Sequence, residues 1–139
     1  MATLSAIRAG LAARLLTIQA LPIVYERWPG QVNPPCAVIE ITDAEPEQTM
    51  GRGDLTRYNV NLHLLMPLAG GWENAQDRLD PLMTTSSTGG VFGAIHADRT
   101  LGGAVQATFV RSLPREYERR IIDDNLECLA ATVPLEVWG

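Results

Sequence analysis

Alternation is the clearest pattern along this chain. From Leu55 to Met66, the apolar residues Tyr58, Val60, Leu62, Leu64 and Met66 alternate with Arg57, Asn59, Asn61 and His63. A period of two predicts an antiparallel strand with one face on a core and the other polar. Near the start the period changes. Leu4, Ile7, Leu11, Leu15 and Ile18 recur at spacings of three and four, which predicts an amphipathic helix. Thr3 or Ser5 can cap it, it runs to about Gln19, and Leu21-Pro22 stops it.

The remaining pattern gives shorter elements. Ile23 to Glu26 reads as a short strand closed by Trp28-Pro29-Gly30, followed by a Pro-rich connection to Pro35. Cys36 to Thr42 is a β-branched strand, with Ala37, Ile39 and Ile41 facing one way. Residues 44–54 form a long polar loop between two strands, a length that often carries function. Trp72 to Met83 predicts a helix whose last turn is disturbed by Pro81, and Val91 to Ala97 a short one. Ala104 to Leu113 and Leu126 to Trp138 read as strands, with Pro134 implying an edge or a bulge in the last. Arg115 to Asp124 reads as a charged stretch. Together these predict an α+β fold in one domain, residues 1–139. Its sheet is antiparallel-dominated, of about five strands, with an N-terminal helix and two helices inserted between strands three and four.

Composition narrows the function. The net charge is −5, which argues against nucleic acid as the main partner. All eleven basic residues are Arg, so Walker-type phosphate loops, Schiff bases and Lys general bases are excluded. Arg8 and Arg14 interrupt the apolar stretch of residues 1–21, so it reads as a helix rather than a secretory segment; an organellar transit peptide is the alternative. No uncharged run approaches the length of a membrane span. Cys36 and Cys128 sit in strand-like runs and read as buried small hydrophobes, expected of a reducing cytoplasm.

Candidate chemistry is sparse. His63 lies on the polar face of strand three and reads as solvated or hydrogen-bonded. His96-Ala97-Asp98 has no further ligands at zinc spacing, so no metal or cofactor is expected. Ser86 and Ser87 sit in a Gly/Thr-rich link without a nucleophile elbow. An enzyme would require a deep pocket lined by His96, Asp98 and Arg99. Gly89-Gly90-x-x-Gly93 reads as a loop-to-helix junction or an anion-binding turn. Arg52-Gly53-Asp54 is explained by a hairpin turn. The run Arg115–Arg120 is either a solvated stretch or a set of charges that fixes register between subunits.

The layout resembles that of the tail terminator (tail completion) proteins of long, non-contractile-tailed bacteriophages. The likeness rests on the opening helix leading into PIVYERWPGQVNPPCAVIEI and on the polar loop reaching TRYNVNLHLLMP. It continues in WENAQDRLDPLM, TGGVFGAIHADRTLGGAVQATFV and the final LEVWG, and so spans nearly the whole chain. The resemblance implies a non-enzymatic virion protein without cofactors, made in the host cytoplasm. It would act as a homo-oligomeric ring, commonly a hexamer, at the head-proximal end of a tail tube. Its partners would be further copies, the tail tube protein and the head–tail connector protein. It would touch no membrane and bind no specific nucleic acid, while DNA passes through the ring. Head-to-tail contacts would then draw on Glu45, Glu47, Met50, Arg52 and Asp54 of the loop, and on Arg115, Arg119 and Arg120. The alternatives are another neck or head-completion protein, or a small ligand-binding domain or enzyme.

Overall fold

Two long strands form the spine of the structure. In this computed structural model, which describes residues 3–47, 55–85, 90–114, 116–122 and 126–139, Arg57–Pro67 pairs antiparallel with Cys128–Trp138 without a register shift. In chain order the strands are β1 (Ile23–Tyr25), β2 (Cys36–Glu47), β3 (Leu55–Pro67), β4 (Ala107–Val110), β5 (Glu118–Ile122) and β6 (Leu126–Trp138). The helices are α1 (Leu4–Leu15), α2 (Trp72–Leu79) and α3 (Val91–Ala97), with a 3-10 turn over Asp80–Met83. Among the described residues, no helix is long and apolar enough to cross a membrane.

The fold is α+β, but the sheet and helices differ from expectation. The sheet has six strands rather than about five, in the order β1-β2-β3-β6-β4, with β5 also on β6. It is mixed, because β1 runs parallel to β2. A parallel neighbour needs a crossover, and residues 26–35 supply it. β5 is the additional strand; it lies in the stretch read as merely charged. The helices are not placed as described either. Trp72–Met83 is not one helix, since the α-helical part ends at Leu79 and the 3-10 turn containing Pro81 follows. α1 stops at Leu15, where the Thr17 hydroxyl donates to the Arg14 carbonyl at 2.6 Å. At its start, Thr3 is the cap, accepting from the Ala6 N–H at 3.1 Å.

β2 is also longer than expected. It pairs with β3 as far as Glu47↔Leu55, with a bulge between Ile41 and Asp43. Ala44 to Glu47 are therefore strand; the rest of the expected loop, 48–54, lies outside the described residues. Pro134 lies on the most heavily paired strand rather than on an edge. β4 pairs with Leu135–Trp138 and β5 with Leu126–Ala130, so Pro134 falls in the gap between them. Its carbonyl accepts from the Arg111 N–H at 2.9 Å, so its missing N–H lies on that same side, away from β3, and the β3–β6 ladder loses no bond.

The alternation in β3 does what it predicted. Val60, Leu62, Leu64 and Met66 join Leu129, Val133, Leu135 and Val137 of β6 in one core. Ile7, Leu11 and Leu15 of α1, Leu79 of α2 and Ile95 of α3 close that core from the same side. Among the described residues, the sheet is thus covered by helices on one face only. α1 also packs closely on the turn after α3. A Cβ on Gly10 would stand 2.8 Å from Leu101 Cβ. Leu101 is buried and holds a left-handed φ of 52°, an unfavourable conformation that tight packing sustains.

Leu15→Ala should lower the unfolding free energy by about 2–5 kcal/mol, read by denaturant titration, because the site is fully buried. Gly10→Ala should also destabilise, by about 1–3 kcal/mol, although Ala is the better helix former. A Gly10→Ala protein as stable as the parent would contradict the close α1–Leu101 contact.

Candidate functional site

The face of the sheet that the helices leave bare carries a connected set of polar groups. Its two ends differ. At the far end from the β2–β3 hairpin, Val32 of the crossover lies over Cys36, Val38, Leu65, Cys128 and Ala130, forming a second small core. Both cysteines are buried there, and neither is in a disulfide. Burial, with Cys128 nearby, pushes the Cys36 pKa up to about 12, so this thiol stays protonated and unreactive.

Towards the middle, a chain of hydrogen bonds crosses the strands. Trp28 Nε1 donates to Glu40 Oε2 at 3.0 Å, and Glu40 Oε1 lies 3.3 Å from His63 Nε2. His63 Nδ1 lies 3.2 Å from Thr132 Oγ1 and 3.4 Å from an Arg120 guanidinium nitrogen. The Trp28 ring covers the imidazole, with centroids 5.1 Å apart. His63 is only 5 % exposed, so it is hydrogen-bonded but not solvated. Burial holds its pKa below the ordinary value despite Glu40. A neutral ring fits one tautomer here: Nε2–H donates to Glu40, and Nδ1 accepts from Thr132 and Arg120. The Trp28 hydrogen bond, followed by those of His63, keeps the Glu40 pKa below its usual range. The row of hydroxyl, imidazole and carboxylate resembles a nucleophile relay, but Arg120 shares the nitrogen that would have to activate Thr132. Its evident role is to tie β2, β3, β6 and β5 together.

At the hairpin end the charges alternate. Glu45 of β2 pairs with Arg57 of β3, which lies 3.6 Å from Glu136 of β6; Arg111, just after β4, reaches Glu136 at 3.9 Å. Asn59 donates to Asp43 in the next row, and Arg57 stacks over the Trp138 ring. Exposed pairs contribute only about 0–1 kcal/mol each, so this row does more for register than for stability.

The expected contact residues fall apart in space. Glu45 is at the hairpin end of β2, while Arg119 and Arg120 are on β5 at the far end. Arg119 bridges Glu127 at 2.5 Å, and Arg120 lies 3.4 Å from Glu118. Glu47 ends β2. Met50, Arg52, Asp54 and Arg115 lie outside the described residues, as do Ser86, Ser87 and Gly89. Gly90 opens α3, where a Cβ would press on the Leu82 and Pro81 carbonyls at 3.2 and 3.3 Å, which supports the simple junction reading.

His96 and Arg99 do line a cleft, with Phe92, Thr108 and Phe109, but it measures only about 70 Å³. Asp98 is occupied elsewhere: its carboxylate accepts from the Thr100 hydroxyl at 2.7 Å and the Gly102 N–H at 2.8 Å. Those bonds, the Thr100 hydroxyl first, hold its pKa below the usual carboxylate range. Among the described residues, no group of three or more His, Cys, Asp or Glu could hold a metal ion. Sequence reasoning missed the Glu40–His63–Thr132 chain. Its only trace was a polar residue at matching positions of three strands whose register was unknown.

No protein-family model matches this chain, and no curated protein matches it.

The depressed His63 pKa sets a pH dependence. The folded state binds fewer protons at this site than the unfolded state. The site's contribution is therefore present above the ordinary imidazole value of about 6.5 and lost as pH falls towards the folded pKa. Denaturant midpoints at pH 7.5 and 5.5 should fall more steeply for the parent than for His63→Asn. Parallel slopes would contradict a neutral buried imidazole.

Proposed function

We propose that this protein is a structural assembly subunit, working as a closed ring at the head-proximal end of a phage tail tube. There it stops tube growth and offers a surface to the head–tail connector. The resemblance in layout suggests the role. The observation that carries it physically is the one-sided sheet, with helices and core on one face and alternating charge on the other. A ring of such sheets, bare faces inward, would give a passage wall whose charges are already paired. With the net acidic balance, that wall would let DNA slide without adhering. The helices would then face outward.

Complementation tests the role directly. Phage lacking the protein should assemble overlong, headless tails, and supplying the chain should restore tails of normal length. Normal tails in its absence would overturn the terminator role.

A further inference from the structure

The strand registers divide the sheet into two unlike halves. At the far end, β1 flanks β2 along Cys36–Val38 and β5 flanks β6 along Leu126–Ala130. At the hairpin end only four strands remain. Ala107 pairs with Trp138, Trp138 with Arg57, and Arg57 with Glu45; likewise Val110, Leu135, Val60 and Ile41 form one row. The outer edges of this half are thus β4 and residues Ile41–Glu45 of β2. They stand at the same level on opposite sides, and among the described residues neither has a strand beyond it. β4 also runs antiparallel to β2, since it is antiparallel to β6, which is antiparallel to β3, which is antiparallel to β2. A copy placed alongside in the same orientation would therefore continue the antiparallel alternation.

The chemistry of the two edges matches. Arg111 N–H bonds to the Pro134 carbonyl, so the inward-bonding residues of β4 are Ala107, Phe109 and Arg111. The N–H and C=O of Thr108 and Val110 then point outward, to the free edge. The cleft beside α3 is lined by Thr108, Phe109 and Val110 in succession, so it runs along β4. Thr108 is 1 % exposed, and its hydroxyl is buried without a hydrogen-bond partner. A buried hydroxyl left unpaired is costly, and an arriving backbone group is the kind of partner it lacks. The β4 side carries the exposed guanidinium groups of Arg99, which lies over the Phe109 ring, and Arg111. The β2 side carries the exposed carboxylates of Asp43 and Glu45. Phe109 and Asp43 share one row and one face.

Building on the ring reading, we propose that Ile41–Glu45 of one copy adds to the outer edge of β4 in the next. The sheet then continues from subunit to subunit, with Arg99 and Arg111 meeting Asp43 and Glu45, and the arriving strand closes the cleft at Thr108. Arg99 moves from the Phe109 ring onto the arriving carboxylates. The bulge between Ile41 and Asp43 lies within the contact and Pro46 ends it, which favours one register over sliding.

Two measurements test this. Val110→Pro removes an outward N–H and leaves the inward ladder bonds to β6 intact, a substitution edge strands tolerate. In sedimentation velocity over a concentration series, it should raise the concentration for half-assembly by about tenfold or more, at an unchanged melting temperature. Independently, Asp43→Cys and Phe109→Cys proteins, mixed under mild oxidation, should form a cross-linked pair that neither forms with the parent. The native thiols are buried and do not compete. If the parent assembles but no mixed disulfide forms and Val110→Pro assembles normally, the strand-edge contact is wrong and the ring reading stands. A parent that stays monomeric, alone and with tail tubes, overturns both.

Discussion

The register between β3 and β6 is the constraint on which the rest depends. Eleven consecutive residue pairs run from Arg57↔Trp138 to Pro67↔Cys128. Both strands alternate, so a slip of one residue would turn Asn59, Asn61 and His63 towards the helices and send Val60, Leu62 and Leu64 to water. The core can form in one register only. Once it forms, everything on the bare face is fixed as well. Arg57 must lie beside Glu45 and Glu136, and His63 between Glu40 and Thr132, because those residues are level with or diagonal to one another across the strands. The polar rows are a consequence of apolar alternation on the other side.

This explains which parts of the fold could be read from residues alone. β3 and α1 carry strong periods, two and about 3.6, and both fold as the periods require. β5 carries no such signal. It is an edge strand in which Arg119 and Ile121 reach past the core, and Ile121 is 66 % exposed, so no apolar alternation marks it. Only the β-branched pair Ile121-Ile122 hinted at a strand. The parallel pairing of β1 was illegible for another reason. Three residues give no orientation, and what fixes it is Val32 of the crossover packing on the bare face. That His63 is hydrogen-bonded under cover, rather than solvated, could not be told from residues alone, because its cover, Trp28, comes from that same crossover, thirty-five residues earlier in the chain.

Charge reading was limited in a similar way. The acidic residues near the hairpin and the Arg cluster at 115–120 look complementary along the sequence. In space, Glu45 and Arg120 share the bare face but stand at opposite ends of it, and Arg119 and Arg120 already have carboxylates beside them. The guanidinium groups that reach the row of Asp43 are those of Arg99, which lies over Phe109, and Arg111, which lies 3.9 Å from Glu136. They come from the turn after α3 and from just past the end of β4, and only the folded sheet brings them to one row, that of Phe109 and Glu136.

An assembly subunit faces two opposed demands. Its sheet must accept another copy, yet an open edge recruits strands without limit and leads to aggregates. Here the regular edge is short. β4 has four residues, and the matching stretch of β2 contains a bulge and stops at Pro46. The far half of the sheet, where β1 and β5 flank the long strands, is one strand wider than the hairpin half, so a copy docked on β4 has to be rotated for its β1 to clear β5. In the proposed contact, strand addition would be confined to one half of the sheet, and the strand twist that accumulates there would rotate each added copy relative to the last. A contact that is heterologous, short and rotated at every step can close on itself, and closure removes the last free edge. The same geometry that makes the isolated edge a hazard would be satisfied completely in a ring.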